Sequence, residues 1–275
     1  MFSVPKKFSE RVLKTLPKFQ KVLALAKDRD VNEADTVSIV KDILGELFGY
    51  DKFLEVTSEL AIRGTYCDLA IKVNDQIQFL IECKAIGLAM KESHLKQAID
   101  YGANKGIPWV VLTNGMLWSL YRLRFEQPIS YDPVFSLNLA EVSPRSEKDI
   151  ELLYILSKEG LEKAAREEYY NKIQSINRFI IGNLILSETV ISSLRKEIRK
   201  FAGDIRVDAA EIEAMLKMDI IKREIIDGEE AKAAQERLRK YYKKIERLAR
   251  KKDISTDETT PILSEKQEKD SNQSS

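Results

Sequence analysis

The sequence predicts an α/β domain followed by an all-helical C-terminal region, and three observations carry that reading. Between residues 31 and 140, short runs with period-two alternation lie between helix-period segments. The dipeptide Asn114-Gly115 sits between the apolar runs IPWVVLT and MLWSLYRL, a signal for a type I′ hairpin. From about residue 145 the strand signals stop and helical spacing takes over.

In chain order, residues 1–30 read as a basic amphipathic helix. Eight basic residues face three acidic ones there, and Val12, Leu16, Phe19 and Leu23 recur at helical spacing. The basic face reads equally as a solvated surface or as a nucleic-acid contact. Asn32 with Asp35 resembles a helix start, Val37, Val40, Leu44 and Leu47 form its apolar stripe, and Gly49 ends it. Strand-like runs follow at 53–60, 65–73 and 77–84, then a helix at 91–103 and a last strand near 134–139. Residues 145–252 form a helical region. Its last helix carries Leu238, Tyr242, Ile245 and Ala249 as a short heptad seam, with nine basic residues against Glu246 between 237 and 252. Residues 253–275 are polar and charged, and read as disordered.

Composition excludes several function classes. Across 275 residues, Lys+Arg 45 against Asp+Glu 44 leaves a net charge of +1, so only local charge can point to a polyanionic partner. One His and two Cys cannot build an ordinary His/Cys metal site. No GxxxxGK[ST] occurs, so no P-loop motor is expected. No apolar run approaches a membrane span, and with two Cys and no secretory leader the expectation is a cytoplasmic protein without membrane contact.

The chemistry concentrates in TYCDLAIKVNDQIQFLIECK, residues 65–84. Cys67, Leu69, Ile71 and Val73 form one apolar row, and Ile77, Phe79, Ile81 and Cys83 another. Burying both rows on one face sets 73 opposite 77, 71 opposite 79, 69 opposite 81 and 67 opposite 83, with a three-residue loop at 74–76. Asp68 then falls opposite Glu82, and Tyr66 opposite Lys84. Like charges so close repel unless a cation lies between them, and a hard divalent ion with oxygen ligands meets that need. Lys84, one pleat beyond Glu82, could hold an attacking water or steady phosphate charge, which suits metal-assisted phosphodiester hydrolysis. The plainer reading is a solvated ion-pair ladder.

Two helices add candidates. His94, Gln97 and Tyr101 share a stripe beside a packing side of Leu95, Ala98, Ile99 and Gly102, so Gln97 and Tyr101 could position DNA backbone or phosphate, or be ordinary surface residues. Glu33 leads the inward stripe 37-40-44 and is the choice for a third carboxylate, against a plainer role as a first-turn acid. Cys67 and Cys83 read as small core residues facing each other, and Trp109 and Trp118 as core.

Asp68 followed by Glu82-Cys83-Lys84 resembles the D…ExK motif of the PD-(D/E)XK nuclease superfamily, and Gln97-Ala-Ile-Asp-Tyr101 resembles its QxxxY motif. Together with NEADTVSIVKDILGELFGY and the Asn-Gly hairpin, residues 31–125 are similar to the N-terminal nuclease domain of type I restriction enzyme R subunits. The resemblance implies a restriction-endonuclease-like three-layer core in αβββαβ order. It implies Mg²⁺, with Mn²⁺ as a substitute, at Asp68 and Glu82 together with the Cys83 backbone carbonyl, and Lys84 near the attacked phosphate. It further implies cleavage of double-stranded DNA in host defence. Cys67 stands where the superfamily's name has Pro, and the motor of those subunits has no counterpart here.

The expectation is therefore a Mg²⁺-dependent DNA endonuclease of restriction type without its own ATPase motor. Arg237, Lys240, Lys244 and Arg247 are its expected phosphate contacts, the C-terminal helices a homodimer contact, and a motor or specificity subunit a separate partner. The competing expectation is a nucleic-acid-binding or assembly subunit that keeps the fold and has no catalysis of its own.

Overall fold

A computed structural model describes residues 3–62, 65–203 and 206–257. Of the tail expected to be disordered, 253–257 continue the last helix, whose periodic turns carry on past the basic segment, and 258–275 lie outside the described residues. The chain divides into two compact units, Met1–Gln174 and Ser175–Ser275. The division thus falls later than residue 145, because helices on both sides of the sheet residues share the first unit's core.

The first unit opens with α1 (Lys6–Asp28) and α2 (Glu33–Glu46). Phe8, Val12, Leu16, Phe19 and Leu23 are buried, so α1 lays its apolar stripe on the core and leaves its lysines outside. The Asn32 side chain accepts the Asp35 N–H at 2.9 Å, which starts α2 as the sequence predicts. A six-stranded sheet follows: β1 (Val56–Ile62), β2 (Thr65–Val73), β3 (Gln76–Cys83), β4 (Trp109–Thr113), β5 (Leu117–Arg124) and β6 (Ser130–Asn138). Spatial order equals chain order, and only β3 and β4 pair in parallel. A parallel pair needs a crossover. It is made by a 3₁₀ turn (Glu92–Leu95) and α3 (Lys96–Lys105), so the predicted αβββαβ order stands.

The three layers are chemically distinct. On one face, α1, α2 and α4 (Glu147–Leu156) cover Leu69, Ile71, Phe79, Ile81, Val111 and Trp118. On the other, α3 covers Ala70, Leu80, Val110 and Leu112. Gly102 lets α3 lie close, since a Cβ there would meet the Ile107 carbonyl oxygen and Leu123 Cδ2, each at 3.0 Å. Helices α5 (Lys158–Glu162) and α6 (Ala165–Ser175) complete the unit.

Two turn readings change places. Asn74 and Asp75 both have positive φ, 52° and 61°, the signature of a two-residue I′ turn. Val73 therefore pairs with Gln76, not residue 77, and an irregularity near Ile71/Lys72 restores the expected partners 71↔79 and 69↔81. At Asn114-Gly115 only Gly115 has positive φ, at 83°, so that loop is not type I′. Asn114 spends its side chain on hydrogen bonds instead. Its Oδ1 accepts the Leu117 N–H at 2.8 Å, and its amide donates to the Ile86 and Leu88 carbonyls at 3.1 and 3.2 Å.

The second unit is helical: α7 (Arg178–Ile185), α8 (Glu188–Ala202), α9 (Ala209–Met215) running into a π turn, α10 (Arg223–Ile226) and α11 (Glu229–Asp257). Ala231 and Ala234 of α11 are buried. Along the predicted seam Leu238 is half-buried, whereas Tyr242 and Ile245 are each 44% exposed. No helix among the described residues is long and apolar enough to cross a membrane.

Candidate active site

The site forms where β2 and β3 part company. The β2–β3 ladder runs from Val73↔Gln76 to Leu69↔Ile81, while β2 stays paired with β1 through Cys67 to Thr65. At the fork the Asp68 side chain steps in, and its Oδ2 accepts the Cys83 N–H at 2.7 Å. A strand fork of this kind leaves backbone donors in need of acceptors. A carboxylate meeting that need is held in one place.

Glu82 occupies the last turn of the pleat before β3 ends. It is 2% exposed. Its Oε1 accepts from Lys84 Nζ at 2.7 Å, and its Oε2 is buried without a hydrogen-bond partner. Lys84 follows β3, and its backbone N–H donates to the Thr113 carbonyl at 2.8 Å, tying the residue to the end of β4. Its ammonium also lies 4.0 Å from Asp68 Oδ2 and 3.6 Å from Glu33 Oε1. Glu33 comes from the first turn of α2, so two strands and a helix start deliver three carboxylates to one amine.

These charges set the proton affinities. Burial pushes the Glu82 carboxyl up to about 7; the Lys84 hydrogen bond pulls the other way, and the Asp68 charge adds to the rise. Burial works against the charged Lys84, yet the hydrogen bond and charge of Glu82, with Asp68 and Glu33 behind it, hold the ammonium above its usual range. Burial pushes the Cys67 thiol up to about 12 and Cys83 well above its usual value, so both are inert thiols.

The structure gathers Asp68, Glu82, Lys84 and Glu33, and it separates the rest. Tyr101 is 1% exposed and packs in the α3-side core with Leu95 and Ala98, its hydroxyl buried without a hydrogen-bond partner. Gln97 is exposed one turn earlier. The two therefore do not share an outward stripe; the sheet-facing side of α3 is Leu95, Ala98, Tyr101 and Gly102, and it takes Tyr101 inward. Cys67 and Cys83 do not share a face either. Cys67 turns at the fork to join the α3-side core and donates its thiol to the Ile81 carbonyl, whereas Cys83 lies in the opposite core. Tyr66 has a side chain outside the described residues. Arg237, Lys240, Lys244 and Arg247 lie exposed on α11 in the second unit, with Lys240 3.4 Å from Glu236.

Asn114 is the residue the sequence conceals. By clasping Ile86 and Leu88 it anchors the segment that leaves Lys84. Its only signal was the Asn-Gly dipeptide, which points to a turn and says nothing of the amide.

Among the described residues, no group of three or more His, Cys, Asp or Glu is arranged to hold a metal ion. Two carboxylates with water are nevertheless what Mg²⁺ usually takes from a protein. The donor set fits that ion: the Asp68 carboxylate is fixed by Cys83, and Glu82 keeps one oxygen unmatched.

Comparison with known proteins supplies one match. Residues 43–132 fit the family model of the type I restriction enzyme R protein N terminus. No curated protein and no solved structure matches the chain. The matched segment begins within α2, ends within β6, and contains Asp68, Glu82 and Lys84. Residues 43–132, about a third of the chain, are accordingly similar to the N-terminal domain of type I restriction enzyme R proteins.

Proposed function

We propose that this chain is a Mg²⁺-dependent endonuclease of restriction type that hydrolyses DNA phosphodiester bonds. One observation carries the reading: Lys84 Nζ sits 2.7 Å from a buried Glu82 whose other oxygen is unpartnered, with Asp68 and Glu33 at 4.0 and 3.6 Å. Asp68 and Glu82, with the Cys83 carbonyl, would hold the ion. When bound there, Mg²⁺ (or Mn²⁺) supplies Lewis-acid charge to a phosphodiester and lowers the pKa of a nearby water.

The chain's own residues do the rest. The Cys83 N–H fixes the Asp68 carboxylate, so it need not reorganise when substrate arrives. Glu82 and Glu33 aim the Lys84 ammonium, which stands ready to hold the attacking water or to offset charge on the phosphoryl oxygens as the bond to the leaving oxygen breaks. The partner is double-stranded DNA. With no P-loop in the sequence, ATP-driven movement along DNA would need a separate motor subunit.

One observation favours a second reading, a DNA-binding or assembly subunit without catalysis. The Lys84 ammonium already neutralises the acids from between them. The test uses supercoiled plasmid with Mg²⁺ and with EDTA, and the variants Glu82→Gln and Lys84→Ala. Cutting by the unaltered chain in Mg²⁺ alone supports the nuclease. Intact plasmid in every arm, with DNA binding retained, selects the second reading. Cutting that appears only with ATP and a second protein would identify a motor partner.

A further inference from the structure

The second unit contains a groove that the nuclease reading does not use. Its volume is about 860 Å³, and its wall is one face of α11 set against α7 and the residues around α9. The floor is apolar, made by Leu184, Leu186, Ile226 and Leu238. Its rim is not neutral. Lys232, Arg239 and Lys243 line it from α11, and none of the three forms an ion pair among the described residues. The two acids on the same wall are already engaged: Glu213 with Lys217 at 2.6 Å and Glu236 with Lys240 at 3.4 Å. Lys232 and Lys243 are eleven residues apart, about 16 Å along the helix, with Arg239 between them.

An aromatic residue completes the wall. Tyr242 lines the groove and is 44% exposed, and Tyr241 beside it is 57% exposed, their rings edge to face at 5.9 Å. Exposed aromatic faces beside a row of unpaired cations are the two components that hold a single nucleic-acid strand, bases on rings and phosphates on cations. A duplex offers its bases only edge-on within its grooves, and a concavity of this size does not admit one. An acidic amphipathic helix would use the cations and the apolar floor, but would leave the exposed Tyr242 ring without a role.

We infer that the α11 groove of the second unit is a binding site for single-stranded nucleic acid, with phosphates on Lys232, Arg239 and Lys243 and a base stacked on Tyr242. The site is independent of the Asp68–Glu82–Lys84 cluster, so it stands or falls separately from the nuclease reading.

The test is fluorescence anisotropy of the full chain with a labelled dT 12-mer and with a duplex of equal length, in EDTA so that no cutting intervenes. The single strand is expected to bind more tightly than the duplex, with a log K against log salt slope near −2, about −0.7 for each of three phosphates. Arg239→Gln and Lys243→Gln should each reduce that slope by about 0.7. Tyr242→Leu should weaken binding at least about fivefold at unchanged slope, and Tyr242→Phe should restore it. These residues are exposed or half-exposed, and an unchanged thermal melt would show that each variant folds. The proposal is overturned if the 12-mer fails to bind, if the duplex binds more tightly, or if the Arg239, Lys243 and Tyr242 variants bind as before. Capture of a Glu-rich amphipathic peptide through the same residues, in place of the 12-mer, would also overturn it.

Discussion

Two cations meet the same sheet under opposite conditions. At the open end, Lys84 stands among three carboxylates within 4.0 Å. Earlier along the strands, on the α1/α2 side, the Arg166 guanidinium of α6 lies 4.4 Å from the Phe79 ring centre and 5.9 Å from Trp109, with all three nitrogens buried and without a hydrogen-bond partner. Burial, above all, drives its pKa down; the Arg122 charge adds to the fall, and Tyr50 and Glu167 oppose it. Arg122 stands over Trp109 from 4.8 Å and adds a second cation rather than an anion. Burying charge is tolerable when opposite charge and hydrogen bonds repay the lost water. Lys84 is matched and leaves one acceptor over, the Glu82 Oε2; Arg166 meets aromatic faces and the charge of Glu167, with no hydrogen bond to its guanidinium. The first arrangement can receive a ligand cation. The second is a packing solution that costs stability.

The sharpest way to separate them is to neutralise each. Lys84→Ala and Glu82→Gln should lower Mg²⁺-dependent plasmid cleavage about a hundredfold or more, the usual loss when one preorganised charge is removed from a reacting centre. Cleavage at the original rate by either variant would remove the open end's claim to chemistry. Arg166→Met should instead leave cleavage alone and raise stability by about 1–2 kcal/mol, the penalty of unmet donors less the aromatic attraction. Urea unfolding reads this as a higher midpoint at constant slope. A lower midpoint would mean the rings hold the guanidinium better than water does.

A pH series sharpens the comparison further. The Glu82 carboxyl is raised to about 7 in the folded chain, above its ordinary 4.5. Its contribution to stability is therefore complete below about pH 4.5 and lost as pH rises through 7. The metal-free protein should lose thermal stability between pH 5.5 and 8, and Mg²⁺ should raise the melting temperature more at pH 8 than at 5.5. An increment independent of pH would dissociate the ion from Glu82. The smallest effect belongs to an exposed pair. Lys18 and Glu46 meet at 2.6 Å with roughly half of each side chain in water, so Lys18→Ala should change stability by no more than about 0.5 kcal/mol. A larger change would mean that surface charge matters to α1 and α2 more than burial does.

Much of this was legible in the residues, and the failures have identifiable causes. The apolar rows of β2 and β3 correctly pair 69 with 81 and 71 with 79, because one buried face on each strand admits a single parity. The same reasoning fails past Leu69. Alternation assumes a continuous ladder, and at Cys67–Asp68 β2 leaves β3 while staying on β1. Tyr101 was misplaced for a related reason. A stripe of three- and four-residue spacing defines neighbours on a helix, but not which stripe meets the sheet, and the small Gly102 beside it draws that side inward.

The sequence by itself determined the alternation of elements, the buried stripe of α1, and the presence of two acids and an amine within one hairpin, since these depend on local periodicity and on residue type. Only tertiary structure decided that Asp68 would accept a backbone N–H, that Glu33 would arrive from another element, and that Arg166 would be sealed without a hydrogen-bonded anion. Those outcomes depend on where separately folded segments come to rest, and water excluded by the whole assembly sets the energy of each charge.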